Sequence, residues 1–252
     1  MVEAKASTPP RAPQRHRGRF WIAAVVLPVA LAVLVSLGTW QVNRLNWKQD
    51  LLQSIEERRQ AEPLDVAGLE AALAQGEPVD YRAARASGTF LHDKERHFFA
   101  TFAGQSGFYL YTPMELDDGR FLFINRGFVP YDRKEAASRP ESLVAGEQAV
   151  TGLARARLDE KPSFIVPEND ETGNVFYWKD IDRMAASVGL PEGAVLPFFL
   201  DADATPVPGG LPRGGVTVID LPNSHLQYAI TWYGLALALV GVSLFAWMRR
   251  KS

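Results

Sequence analysis

The chain has 252 residues, 47% of them hydrophobic and 22% charged, with a formal net charge of −2. It has no cysteine, which excludes disulfides, CxxC thiol chemistry, thiolate copper sites and CxxCH haem attachment. The near-neutral total hides an uneven distribution. Eight of the 27 Lys and Arg residues, but only one of the 29 Asp and Glu residues, lie in two short terminal tails.

Residues 1–19 are rich in Pro and Arg and are expected to be a disordered cytoplasmic tail. Residues 20–38 carry no charge over about 19 positions, close to the ~20 that a bilayer core demands of a helix. The helix is expected to continue beyond Gly38, because Val42, Leu45, Leu52 and Ile55 make an apolar stripe at spacings of three and seven. Residues 63–75 read as a short helix that stops before Gly76.

The character then changes. Residues 81–90, 95–102, 107–111, 121–129, 149–158, 175–178, 196–202 and 216–221 are short aromatic and β-branched runs. Gly, Pro, Asp and Asn separate them, as in antiparallel strands and turns. Asp118-Gly119 is a hairpin turn signal between the flanking apolar runs. Residues 180–188 read as a helix, with Asp at the start and Gly-Leu-Pro as the stop. Pro222 ends the last strand, and Ser224 with Gln227 forms a capping box for a second uncharged run, residues 228–248, about 31 Å long as a helix. Residues 249–252 are a basic tail.

The flanks give direction. Trp21 and Trp247 mark one end of each apolar run, and Trp40 and Trp232 mark the other, as interfacial aromatic belts do. Lys5, Arg11, Arg15, Arg17 and Arg19 at one end, and Arg249, Arg250 and Lys251 at the other, place both termini on the cytoplasmic side. The first run is longer than the ~7–15 residues of a signal-peptide core, and Ser36-Leu37-Gly38 is a poor cleavage site, so an uncleaved anchor is expected. The tail is unlike a mitochondrial presequence. A bacterial inner membrane is therefore the expected lipid bilayer, with residues 39–227 in the periplasm. The expected fold is a membrane-anchored α+β protein. One transmembrane helix at each end (20–38 and 228–248) flanks a β-rich antiparallel barrel or sandwich with a few short helices.

Candidate sites cluster at the outer interface. His225 sits in the first turn of the second span and shares a helix face with Tyr228, Ala229 and Trp232, at spacings of three, four and seven. Two readings stand. A neutral imidazole beside an apolar aromatic stripe suits axial ligation of a lipophilic haem iron, with Tyr228 and Trp232 lining a slot. The other reading is an interfacial histidine tolerated at headgroup depth. Arg44 and Lys48, on the face that carries Trp40, suit carboxylates such as haem propionates or, more ordinarily, lipid phosphates.

Elsewhere the patterns fall short of chemistry. His92 and His97 are five apart and do not make HExxH. Gly104-Gln105-Ser106-Gly107 misses GxSxG by one position and has no paired base. The Gly-rich stretch 206–215 lacks the GK[ST] of a phosphate loop.

Several segments in order carry a resemblance. Leu37-Gly38-Thr39-Trp40-Gln41, Arg44 and Trp47-Lys48 follow the first span. Gly88-Thr89-Phe90 and Asn125-Arg126-Gly127-Phe128-Val129-Pro130 lie in strands, and Pro167-Glu168-Asn169-Asp170 precedes Trp178-Lys179-Asp180. Pro208-Gly209-Gly210 and Gly214-Gly215 precede Asn223-Ser224-His225-Leu226-Gln227-Tyr228 and Thr231-Trp232-Tyr233. This order, within a two-span frame, resembles the surfeit-locus-1 family of cytochrome c oxidase assembly factors. The resemblance implies a non-enzymatic role in placing haem a into subunit I of the oxidase, with haem a synthase as a further partner. It also implies haem a binding at the histidine opening the second span, here His225. A scaffold that clamps a partner without touching haem is the competing class, and an enzyme is the third.

Overall fold

The computed structural model describes residues 15–219 and 222–249, which fall into two units: residues 15–52 with 222–249, and residues 53–219. Residues 1–14 of the expected disordered tail lie outside the described residues. Residues 15–19 do not fit that reading, because helix α1 (Arg15–Gln60) already includes them. Extending an existing helix gains one hydrogen bond for each residue fixed, so the span can propagate outward through polar sequence.

The first unit contains α4 (His225–Arg249) and the N-terminal part of α1. Both helices are long and apolar enough to cross a membrane. They touch through small residues. Ala229 and Ala236 of α4 are buried, and Gly38 of α1 is so close to Tyr233 that a Cβ there would lie 2.9 Å from the ring. Apolar packing gives helices in lipid little reason to associate, and close approach at Gly and Ala is a common alternative.

The second unit is a closed barrel. Five strands, β1 (Ala83–Phe90), β5 (Glu147–Ala156), β6 (Val195–Ala202), β4 (Phe121–Pro130) and β3 (Gln105–Glu115), pair in that order. The ring shuts where Thr89 and Phe90 of β1 meet Glu115 and Met114 of β3. Strand β2 (Arg96–Phe102) lies outside the ring and extends β3. Closure removes the unpaired edges that an open sheet would expose.

The barrel departs from the expected all-antiparallel pattern at one seam, where β4 and β6 run parallel. Parallel neighbours need a crossover connection. Here it contains β5 and helix α3 (Ile181–Ala186). Two expected strands are absent among the described residues. Residues 175–178 make isolated bridges only, because Asn169 Oδ1 accepts from the backbone N–H groups of Tyr177 and Trp178. Residues 216–219 form no ladder either; Val216 is buried and the Thr217 hydroxyl donates to Asp201. Residues 220 and 221 lie outside the described residues.

Alternation places two cores on opposite faces of the same strands. Phe198 and Leu200 of β6 face a cluster with Met114, Ile124 and Leu69 of helix α2 (Val66–Ala74). Phe199 faces a cluster with Tyr111, Phe123 and Met184 of α3. With both faces covered, the strand reads as a continuous apolar run rather than an alternating one. The hairpin at Asp118-Gly119 forms as expected, with Gly119 at φ +79° and Asp118 Oδ1 accepting from Arg120 N.

One glycine is obligatory for this packing. Gly127 of β4 has φ +120°, and a Cβ there would lie 1.9 Å from the Arg213 carbonyl oxygen. Gly127→Ala is expected to cost about 1–3 kcal/mol through strain and overpacking. The check is thermal unfolding of the full chain, where an unchanged midpoint would show that the 213–214 segment yields freely.

Candidate functional site

The site lies within the first unit, where α1 and α4 meet. Along α1, Gly38 and Gln41 are three residues apart and share a face. Along α4, His225, Ala229, Tyr233 and Ala236 follow one another at helical spacing. The Thr39 hydroxyl donates to Val35 O at 2.9 Å, which uses its one hydrogen. The Tyr233 hydroxyl must therefore be the donor in the 3.0 Å bond to Thr39 Oγ1.

About two turns closer to the start of α4, Gln41 Oε1 lies 2.7 Å from His225 Nδ1. A carbonyl oxygen only accepts, so Nδ1 carries a proton, and the lone pair of a neutral ring would then lie on Nε2. Nε2 has no hydrogen-bond partner among the described residues. Gln41 is only 9% exposed, so its amide is itself held in place. This is the arrangement by which an outer partner fixes the tautomer and direction of a ligating histidine.

Trp40 stands edge-on to the His225 ring, at 6.5 Å between centroids and 84° between planes, and is 56% exposed. Tyr228 is 53% exposed and Trp232 part-buried, while their neighbour Ala229 turns inward. The four-residue face read from the sequence is thus divided. His225 and Ala229 lie on the side packed against α1, and Tyr228 and Trp232 flank it. The Arg44 guanidinium lies 3.9 Å over the Trp47 ring, a stacking that leaves its N–H edges free for acceptors. Lys48 is used differently, since its Nζ donates to the Pro222 carbonyl just before α4.

The two histidines of the barrel unit have other duties. His92 Nε2 bonds the Val144 carbonyl at 3.0 Å and its Nδ1 faces Arg126. His97 is buried against Glu95, which also pairs with Arg139. Among the described residues no group of three or more His, Asp and Glu side chains has metal-holding geometry.

Sequence reasoning missed Gln41, Thr39 and Tyr233 as members of the site. Gln41 stands within a quoted motif, but its partner is 184 positions away. A buried-face glutamine one turn from a glycine, at the level of an interfacial tryptophan, is the available signal.

The SURF1 family model matches residues 29–237, from within α1 to within α4. Surfeit locus protein 1 of Rattus norvegicus is 35% identical over 87% of this chain and 72% of its own length. The SURF1-like protein of Monosiga brevicollis is 35% identical over 98% and 94% respectively. Surfeit locus protein 1 of Homo sapiens is 35% identical over 80% and 70%. With the match running through the barrel and both helices that meet at His225, the chain belongs to the SURF1 family.

Proposed function

We propose that this protein is an assembly factor for cytochrome c oxidase that holds haem a on His225 and presents it to subunit I. The observation that carries the reading is the His225–Gln41 hydrogen bond, which commits Nδ1 as the donor and leaves Nε2 as the nitrogen open for ligation. Haem a would supply an iron that this nitrogen could hold as a ligand. Trp40, Tyr228 and Trp232 offer apolar surface to a macrocycle, and Arg44 offers a free guanidinium edge to a propionate. The role is transfer and protection rather than catalysis. Haem a synthase is the proposed donor and the oxidase subunit the acceptor.

The same bond also suits a plain clamp between two helices, which is the scaffold reading. Absorbance of the full chain, purified from cells that make haem a, separates them. A Soret band travelling with the protein is expected; a colourless protein, isolated with oxidase subunits, would establish the scaffold.

The proposed location is a bacterial inner membrane, with both termini cytoplasmic and the barrel periplasmic. The basic tails and paired tryptophan belts support this orientation. Reporter fusions at Ser138 and at the C-terminus are expected to report opposite compartments. The same compartment for both would refute the two-span topology.

A further inference from the structure

The barrel unit holds a second feature that the haem reading does not use. Arg126 of β4 is only 7% exposed, yet among the described residues no carboxylate lies within ion-pair distance of it. Two other arginines of this unit are neutralised: the buried Arg139 pairs with Glu95, and the part-buried Arg155 pairs with Asp80 and Asp201. Arg126 meets neutral groups instead. Nη2 donates to the Ser142 carbonyl at 2.5 Å and Nη1 to His92 Nδ1 at 3.3 Å, with the Phe90 ring 5.0 Å from the guanidinium carbon. His92 Nε2–H is committed to Val144 O, which leaves Nδ1 as the acceptor. These contacts orient the guanidinium without an ion pair; Glu95, already paired with Arg139, acts on it only from beyond ion-pair distance.

Burying a charge without a counter-charge is costly, and burial pulls the Arg126 pKa down to about 10. It remains a cation at neutral pH. It lines a cavity of about 390 Å³ whose walls combine the apolar Phe90, Ile124, Val150 and Val207 with the polar Ser142, Gln148, Thr151 and Thr205. That size and lining are typical of small-molecule sites, where one or two fixed polar groups set orientation. Asp203 also lines the cavity; its Oδ1 accepts from Thr205 N at 2.9 Å.

We propose that this cavity binds a small carboxylic acid with an apolar body, its carboxylate received by Arg126 and its body by the walls. The planar guanidinium matches a carboxylate in two parallel hydrogen bonds. The Asp203 carboxylate disfavours a second negative charge, so a monoanion is preferred over a phosphate monoester.

The test uses the full chain in lipid nanodiscs, with 4-(4-fluorophenyl)butanoate as probe followed by fluorine NMR, and empty nanodiscs as blank. Saturable binding of the acid is expected, with the matching amide at least about tenfold weaker. Asp203→Asn is expected to tighten the acid, and Val207→Trp, which fills the cavity from a loop, to abolish binding. Arg126→Gln is expected to weaken the acid at least about tenfold. The first two variants decide the matter if Arg126→Gln does not fold. Equal affinity for acid and amide, no saturable signal above the blank, or binding indifferent to Val207→Trp would each overturn the proposal.

Discussion

If haem a is held as proposed, His225→Ala is expected to remove the ligand signature of the bound haem while leaving the apolar helices and the barrel intact. The substitution deletes the only ring nitrogen at the α1–α4 contact among the described residues that lacks a partner and has a lone pair to give. It leaves the apolar run of α4 untouched, so both spans retain their lengths. Gln41→Leu is expected to act more weakly, because the ligand stays but its tautomer and direction are released. Loss of such an outer partner typically lowers metal affinity by about 10–100-fold. His92→Ala and His97→Ala are expected to keep haem content, although His97→Ala removes a buried hydrogen-bond partner of Glu95. Haem content and Soret position of each variant, at matched protein level with haem a available, provide the measurement. Parent-like content and Soret position for His225→Ala would place the iron on another ligand.

Glu95→Gln is expected to destabilise the barrel by about 3–5 kcal/mol, since it leaves the buried Arg139 cation without its counter-charge. Glu95 Oε1 accepts from both His97 Nε2 and Arg139 Nη2, and all three side chains are almost fully buried. Glu95 Oε2, His97 Nδ1 and Arg139 Nη1 have no partner among the described residues, and the Arg133 and Lys134 carbonyls that accept from Arg139 carry no counter-charge. Replacing the pair together, Glu95→Leu with Arg139→Met, is expected to recover most of the stability, because apolar side chains of similar volume need no solvation.

The same carboxylate links stability to pH. Burial by itself would raise the Glu95 pKa, but hydrogen bonds from His97 and Arg139 outweigh it and hold the pKa below the ordinary glutamate value. The folded state therefore binds the proton less readily than the unfolded chain. The contribution is complete above the unfolded glutamate value of about 4.3 and is lost as pH falls through the lower folded value. Thermal unfolding of parent and Glu95→Gln across that window is the check. A variant within about 1 kcal/mol of the parent, or one with the same acid dependence, would show that the pair contributes little.

Much of the barrel could be read from local pattern. Six of the eight expected runs became strands, because alternating or continuous β-branched and aromatic segments between turn residues have few other ways to bury themselves. The 175–178 run failed for a reason that pattern does not carry. Its aromatic composition suits a strand, but Asn169 takes two of its backbone donors. The parallel β4–β6 seam was equally hidden, since strand order depends on which partner a long crossover reaches.

At the candidate site the division is similar. His225 stood out because a titratable ring at the start of a long apolar helix is a local anomaly, visible without knowledge of its neighbours. Its orientation did not, because the proton on Nδ1 is assigned by Gln41, 184 residues earlier in the chain. Arg126 also read as an ordinary strand residue until burial and the absence of a carboxylate partner set it apart.

By itself the sequence determined the quantities that add up along the chain. These are the two apolar lengths, the basic tails, the periodicity of most strands, and a lack of cysteine that leaves the fold to its own packing. Only the tertiary structure decided which distant groups share a hydrogen bond or leave a charge unpaired. Those outcomes depend on distances of a few ångströms between residues far apart in the chain, and hydrophobic periodicity does not specify them.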